Sequence, residues 1–312
     1  MAPGRCSKYI GNCSTGNSAT EPYIVTHYLI LSHATAVKLY REKYQISQKG
    51  WIGISIHTQW IVPKFQTIAS KKAASRALDF KIGWIMDPIT NGNYPKSMQI
   101  LVGNRLPKFT ESESEFVKSS MDFIGLNYYT ATYADNLTSS SSSIDLLSYL
   151  TDNHVNLTYE KNGIPIGQST NSSWLYIYPK GIRKLLLYTK RKYNTPSIYI
   201  TENGMGDVNS SLWPIDKALN DSLRIKYHSL HLFYLLKAIK DGVDVRGYHA
   251  WTFLDNFEWS SGYTYRFGIN YVDYKHGFKR YLKNSALWFQ NFLLNKNTTT
   301  HHQPSNFLYS DQ

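Results

Sequence analysis

A glutamate ends an apolar run in residues 197–207, which read SIYITENGMGD. The β-branched and aromatic residues of this run lead directly into Glu202, and Asn203-Gly204 follows it. An Asn-Gly pair between two apolar runs is typical of a type I′ hairpin. The next residues, however, read as an irregular loop and then a helix, which indicates a βα unit. Because functional side chains collect at the carboxyl ends of parallel strands, Glu202 is a candidate catalytic residue, with a purely structural role as the alternative.

A second glutamate lies among aromatic residues in AWTFLDNFEW, residues 250–259. Glu258 has Phe257 and Trp259 as direct neighbours, and Trp251 precedes it by seven positions. Aromatic residues, which make up 15% of the chain, give broad flat faces that suit stacking on a sugar or a nucleobase, although most will be core residues. Ordinary core positions are the alternative for both tryptophans. A glutamate buried among aromatic rings is harder to explain without a binding role.

The elements that must position these residues alternate along the chain. Short apolar strands are predicted at 51–56, at 121–130, up to Glu202 and from 245 onward. Helices are predicted at 21–44, 70–86, 179–193, 222–240 and 283–294, and those at 179–193 and 222–240 are amphipathic. A long polar loop, 134–172, contains five consecutive serines, and 295–312 reads as a frayed tail after a single unit, 1–294. Strands that alternate with helices in this way predict a parallel α/β protein.

Composition narrows the class of protein. The chain has 312 residues, 42% of them apolar, and no apolar run approaches the roughly 20 residues of a membrane span. No leader sequence is visible at its start. Its formal charge of +12 raises nucleic acid as a partner. The basic residues are scattered, with the densest group at 190–192 on a helix end, and no aromatic-basic motif accompanies them, so nucleic-acid binding is not expected.

Two cysteines and seven glycosylation sequons bear on the compartment. Cys6 and Cys13 are separated by a short polar loop, and two free thiols are one interpretation of them. The sequons begin at Asn12, Asn136, Asn156, Asn171, Asn209, Asn220 and Asn297. Together they favour an oxidising, secretory origin and a disulfide bond, whereas the absence of a visible leader argues against it. Localisation therefore stays open.

Several of these segments together resemble glycoside hydrolase family 1, the retaining β-glucosidases, and its plant members in particular. YITENG is similar to the nucleophile motif of that family, and GLNYYT to the strand that faces the sugar. AWTFLDNFEWSSGYTYRFGINYVDY is similar to the long signature near the family's C-terminus. PGRCS…GNCS…GNSATEPYIVTHYLILSHA is similar to a stretch that carries a disulfide and a helix. The similarity extends from Pro3 to about Leu294.

The resemblance implies a role for each matching residue. Glu202 would be the nucleophile, with the Tyr129 hydroxyl donating to it. The sugar-site positions would be Asn127, Tyr129, Trp251, Glu258, Trp259 and Phe267. Trp174 would stand at the mouth where the leaving aglycone stacks, and Cys6 and Cys13 would form a disulfide. No metal or cofactor is implied, and the partner is a β-D-glucoside.

The resemblance also implies what the chain lacks. Retaining glycosidases use two carboxylates about 5 Å apart, and the family's acid/base lies in a Thr-x-Asn-Glu-Pro motif that would precede this chain. Glu21, in ATEPY, imitates that motif but falls at the start of a helix, where an acidic residue is favoured by the helix dipole. The family fold is a (β/α)8 TIM barrel of at least about 250 residues, and this chain would supply about its last four βα units.

Two other interpretations stay open. A truncated, inactive isoform would at most bind sugar, or would pair with a complementary barrel half or a second copy through open strand edges. A thioglucosidase-type relative is the second alternative, since those proteins differ at the missing acid/base position. A carboxylate at Glu258 would repel a 6-phosphate, which favours an unphosphorylated sugar. Family members of this type are secretory, apoplastic or vacuolar.

Overall fold

The computed structural model describes residues 2–8, 10–137, 147–194, 197–210 and 212–294. Its central sheet contains four parallel strands, which lie side by side in chain order. They are β1 (Gly53–Pro63), β2 (Phe123–Asn136), β3 (Ile198–Asn203) and β4 (Val245–Ala250). A fifth strand, Val155–Thr158, pairs antiparallel with the far end of β2. The predicted parallel α/β arrangement is therefore confirmed.

Helices precede and connect these strands. The longer ones are α1 (Glu21–Lys43), α2 (Ile68–Leu78), α3 (Trp84–Asn91), α4 (Lys180–Tyr193), α5 (Ser222–Lys240) and α6 (Asn284–Leu293). Shorter α-helices span Gln45–Gln48, Lys96–Val102, Glu111–Val117 and Ile215–Leu219. A five-residue π-helix, Asp79–Gly83, joins α2 to α3. Among the described helices, none combines the length and the apolar character that crossing a membrane requires.

Short strand pairs lie in the connections. They are Glu160–Lys161 with Ile164–Pro165, Gln168–Ser169 with Tyr176–Ile177, Asp207–Val208 with Tyr265–Arg266, and Asn270–Val272 with Arg280–Leu282. The third pair matters for the site, because it joins the loop after β3 to the loop after β4. These two loops follow neighbouring strands and therefore leave the sheet on the same side.

The largest core cluster lies between the sheet and the helices that cover it. The outer faces of the strands contribute residues such as Ile56, Leu126 and Ile200, all at most 2% exposed. Helix α4 packs on them with Ile182 and Leu185, which are fully buried and three positions apart. This spacing is the one that places apolar side chains on one helix face. The opposite face of the sheet carries the candidate site residues.

Several predicted boundaries change in the structure. Strand β1 runs on to Pro63, seven residues beyond the predicted end at 56. The predicted helix 70–86 is part of a longer helical stretch from Ile68 to Asn91, in which the π-helix joins α2 to α3. The serine run 139–143 and the tail 295–312 lie outside the described residues.

Candidate active site

Glu202 lies half-buried at the carboxyl end of β3, next to the end of β4 and opposite Asn127 of β2, which continues to Asn136. Strand β3 pairs in parallel with β2 and with β4 on its two sides, so the βα interpretation of this stretch is correct and the hairpin interpretation is wrong. The loop must then leave close to β4. A side chain at Gly204 would collide with the backbone carbonyl of Trp251, so this close approach requires glycine.

Tyr129, on β2, contacts the carboxylate of Glu202 directly. Its hydroxyl donates a hydrogen bond to Glu202 Oε2 over 2.6 Å, and the tyrosine is only 6% exposed. Its ring is held at right angles by Trp174 on one side, with centroids 5.8 Å apart, and by Phe267 on another, at 6.3 Å. Edge-to-face packing of this kind fixes the ring plane and therefore the direction of the hydroxyl. Sequence reasoning predicted this donor.

Asn127 contacts Glu202 from the same strand. Its oxygen Oδ1 accepts a hydrogen bond from the Thr201 hydroxyl at 2.6 Å, which orients the amide nitrogen towards Glu202. Burial raises the pKa of the Glu202 carboxyl above its ordinary value, while the hydrogen bonds from Tyr129 and Asn127 act in the opposite direction. The carboxylate is thus held by two neutral donors in a partly desolvated position.

Glu258 and Trp251 form the other part of the site. The indole nitrogen of Trp251 donates to Glu258 Oε1 at 3.2 Å, and Glu258 is 8% exposed. Burial raises the pKa of Glu258, and the negative charge of Glu202 raises it further, against the hydrogen bond from Trp251. The two carboxylates therefore influence each other electrostatically. Trp259, next in the chain, is 80% exposed, so it is not a core residue.

A buried charge cluster positions the loop that carries Glu258. Asp255 accepts from Arg266 at 2.6 Å and from Lys283 at 3.1 Å. It also accepts from the backbone of Gly268 at 2.9 Å. Burial and the nearby charge of Arg224 lower the pKa of Lys283 to about 8, with Asp255 acting to raise it. Because one carboxylate joins several segments of the loop, the aromatic residues on either side of it are held in place.

Arg224, on α5, joins this loop to the one that follows Glu202. Its guanidinium is fully buried and binds Asp221, and it binds Asp207 at 2.6 Å. It also donates to the backbone carbonyls of Met205, at 3.2 Å, and Arg266, at 2.8 Å. Through Arg224, helix α5 is therefore hydrogen-bonded to both loops.

Glu21 and the cysteines occupy the positions that the sequence suggested. Glu21 lies in the first turn of α1, and the Arg5 guanidinium binds both of its carboxylate oxygens. Cys6 and Cys13 form a disulfide, with their Cα atoms 5.4 Å apart. Within the described ranges, no group of three or more His, Cys, Asp or Glu side chains has an arrangement that could hold a metal ion.

Sequence reasoning missed several residues beneath the site. Thr201 was treated only as part of a strand, and the Asn203 side chain only as part of a turn. The buried partners Arg224, Arg266 and Lys283 had no local signal either, because each contacts residues far along the chain.

Comparison with known proteins shows the family to which the chain belongs. The model of glycosyl hydrolase family 1 matches residues 2–298. Beta-glucosidase 17 of Arabidopsis thaliana is 54% identical over 298 residues, which are 96% of this chain and 57% of that protein. Raucaffricine-O-beta-D-glucosidase of Rauvolfia serpentina is 53% identical over 290 residues, or 92% of this chain and 54% of that protein. The chain thus spans little more than half the length of these relatives.

Solved structures agree in fold. A rice Os3BGlu6 β-glucosidase superposes with a TM-score of 0.90 at 49% identity, covering 93% of this chain and 61% of that one. A β-glucosidase of the fungus Humicola insolens, solved in complex with glucose, gives a TM-score of 0.87 at 38% identity, covering 94% and 61%. The family's (β/α)8 barrel fold, which the resemblance implied, is therefore supported over the aligned part. The chain belongs to glycosyl hydrolase family 1, and its similar relatives include plant β-glucosidases.

Proposed function

We propose that Glu202 is the nucleophile of a retaining β-D-glucoside hydrolysis. Its carboxylate attacks the anomeric carbon to form a glycosyl-enzyme, while the bond from that carbon to the aglycone oxygen breaks and the aglycone leaves as an anion that takes a proton from solvent. The observation that carries this proposal is the 2.6 Å hydrogen bond from Tyr129 to Glu202 at the strand end. Tyr129 and Asn127 direct the carboxylate, and their hydrogen bonds offset part of the effect of burial on its pKa. Water then hydrolyses the glycosyl-enzyme in the second displacement.

The other site residues are assigned to binding. Glu258 would accept two sugar hydroxyls, with Trp251 holding its carboxylate. Trp259 would cover one face of the ring, Asn127 would contact a hydroxyl beside Glu202, and Phe267 would support Tyr129. Trp174 is 37% exposed beside Tyr129, which suits contact with an apolar aglycone.

We infer that the four parallel strands are the last four βα units of an eight-stranded barrel, with residues 1–294 as one unit. The order of β1 to β4 and the coverage of about three fifths of the solved relatives support this inference. The outer edges of β1 and β4 would then pair with further strands, or with a second copy of the chain. Light scattering after size-exclusion chromatography tests pairing with a second copy of the chain. A monomer at micromolar concentration would contradict such pairing.

A mechanism-based label tests the role of Glu202. A 2,4-dinitrophenyl 2-deoxy-2-fluoro-β-glucoside has a leaving group that departs without protonation, so it reports on the nucleophile alone. We expect one fluoroglucosyl group on the peptide that contains Glu202. Glu202→Gln should abolish the label, and Glu258→Gln should weaken binding while the label stays on Glu202. Labelling of another carboxylate in folded protein would overturn the assignment.

Sugar binding without turnover is the second candidate function. It is favoured by the open face of the loop after β4, where Trp259 is 80% and Phe257 is 60% exposed. General acid catalysis contributes roughly 10²–10⁴-fold, so a site without an acid should still be labelled by the dinitrophenyl fluoroglucoside, whose leaving group needs no proton, and should not turn over alkyl glucosides. Labelling of Glu202 together with no turnover of methyl β-glucoside would support this candidate. Turnover of methyl β-glucoside as well as of a dinitrophenyl glucoside would reject the non-catalytic function. A thioglucoside assayed alongside them tests the thioglucosidase alternative.

A further inference from the structure

The strand that carries Glu202 is irregular on both sides at that residue. Along β2 the register runs from Leu126 opposite Ile200 to Asn127 opposite Glu202, so β3 has one extra residue. Towards β4 the register also shifts, between Ile200 and Asn203. A bulge of this kind re-aims a side chain, but it also removes ladder hydrogen bonds that would otherwise fix the backbone. Something else must therefore hold the backbone beside Glu202.

The side chain of Asn203 makes hydrogen bonds that hold the backbone at this point. Asn203 is fully buried, and its amide nitrogen donates to the backbone carbonyl of Tyr128 at 2.7 Å and to the hydroxyl of Tyr227 at 2.9 Å. The Tyr227 hydroxyl donates in turn to the carbonyl of Tyr129 at 2.7 Å. Asn203 thus connects the end of β3 to Tyr128 of β2 directly, and to Tyr129 of β2 through Tyr227 of helix α5.

The direction of each hydrogen bond follows from these contacts. Because a carbonyl can only accept, the nitrogen of Asn203 faces Tyr128 and its oxygen faces the other way. That oxygen accepts from the Tyr248 hydroxyl of β4 at 2.7 Å. Tyr248 has then used its only proton, so His228 Nδ1, 2.7 Å from the same hydroxyl, must carry a proton and donate it.

His228 is therefore a neutral imidazole with its proton on Nδ1. Its other nitrogen, Nε2, is buried and has no hydrogen-bond partner among the described residues. An unprotonated nitrogen tolerates the lack of a partner better than an N–H group does, so this nitrogen is assigned no proton. Burial, followed by the charge of Arg224 and by His231, keeps the pKa of His228 well below its ordinary value. The chain of donors from His228 through Tyr248 to Asn203 thus has one consistent arrangement of protons.

We propose that Asn203 is the residue that positions Glu202, and that Tyr248 and His228 orient Asn203 for this task. The inference rests on the proposed role of Glu202 as nucleophile. Asn203 touches neither sugar nor reacting atoms, so it acts through the backbone of the bulge. Loss of its orientation should loosen the hydrogen bonds from Tyr129 and Asn127 to the carboxylate.

The test compares two conservative tyrosine variants of the full chain. Tyr248→Phe removes the hydroxyl between His228 and Asn203 without a change of shape. Tyr193→Phe removes the hydroxyl of a buried tyrosine on α4, which donates to Asp87 at 2.7 Å on the far side of the sheet. The first readout is inactivation by the dinitrophenyl fluoroglucoside, resolved into kinact and KI. The second is the pKa of the Glu202 carboxyl from ¹³C NMR, whose signal is identified among eight glutamates by its loss in Glu202→Gln.

We expect Tyr248→Phe to lower kinact about 10-fold, with KI within about twofold, since misplacement of a reacting group affects the chemical step. The pKa of Glu202 should rise, because the hydrogen bonds that lower it are loosened. Asn203→Asp, which sets an acceptor against the Tyr128 carbonyl, should lower kinact about 100-fold. Tyr193→Phe should change neither readout.

The outcomes separate this proposal from the proposed function. If wild-type protein is not labelled at Glu202, the proposed function fails, and the NMR pKa alone decides the positioning role. A rise in that pKa in Tyr248→Phe and not in Tyr193→Phe would support positioning in either case. If both variants lower thermal stability alike and leave kinact and the pKa unchanged, the cluster is only structural and the proposal is wrong.

Discussion

Replacement of Tyr129 by phenylalanine should slow attack by Glu202 while the fold persists. The variant removes only the hydroxyl that donates to Glu202 Oε2 at 2.6 Å. A hydrogen bond to a charged group contributes about 1.5–3 kcal/mol. If this bond aims the carboxylate in the transition state, its loss corresponds to a fall of about 10-fold to 150-fold in kinact. Loss of the donor also raises the pKa of Glu202 further, because this hydrogen bond lowers it in the intact site.

The assay is the rate of inactivation by the dinitrophenyl fluoroglucoside, measured between pH 4 and pH 8. Only ionised Glu202 attacks, so the rate should fall as the pH drops through the pKa of Glu202. In Tyr129→Phe that acid limb should move to higher pH, in addition to the lower plateau.

Tyr128 provides a matched control, since it is the adjacent residue and is also buried. Its hydroxyl lies on the other face of the sheet and donates to the carbonyl of Tyr178 at 2.7 Å. Tyr128→Phe should cost about 1 kcal/mol of stability, measured by urea unfolding, and leave the plateau and the acid limb unchanged. Equal effects of the two variants on kinact, or none from Tyr129→Phe, would refute the role of Tyr129.

Three further outcomes are expected. Glu202→Gln should raise the melting temperature at pH 7, because burial disfavours the charged form, and the gain should shrink as the pH falls below the raised pKa of Glu202, where the wild-type carboxyl is protonated. Asp255→Asn should lower the free energy of unfolding by about 3–5 kcal/mol, since Arg266 loses its buried anion. With a secretion leader, Asn171, which is exposed, should carry a glycan by mass spectrometry, whereas Asn209, whose oxygen accepts from Arg266 at 2.8 Å, should not.

The sequence predicted the gathering of Glu202, Asn127 and Tyr129 for a physical reason. Each follows the apolar start of a predicted strand, and neighbouring parallel strands bring corresponding positions side by side in the sheet. The alternating pattern predicted the strands, and the resemblance singled out Asn127 and Tyr129 and implied the roles of all three residues. The disulfide between Cys6 and Cys13, which the sequons favoured and the resemblance implied, is present.

The supporting contacts could not be predicted, because their partners are distant in sequence. Asn203 bonds Tyr227, 24 positions away, and Tyr248, 45 positions away, and its neighbour Gly204 favoured a turn. The helical stretch from Ile68 to Asn91 was underestimated for a related reason. Pro88 and Gly83 reduce helix propensity, yet buried contacts of Trp84 and Ile89 keep the segment helical.

In the described residues, charged pairs hold the loops in place, whereas neutral donors contact Glu202 and Glu258. Arg224, Arg266 and Lys283 are paired with aspartates beneath the loops. The contacts described for Glu202 and Glu258 come from neutral donors, namely a phenol, an amide and an indole. A guanidinium in their place would lower the pKa of each carboxyl and occupy its lone pairs. Neutral donors direct the carboxylates and leave oxygens free, as the proposed attack by Glu202 and the proposed binding of sugar hydroxyls by Glu258 require.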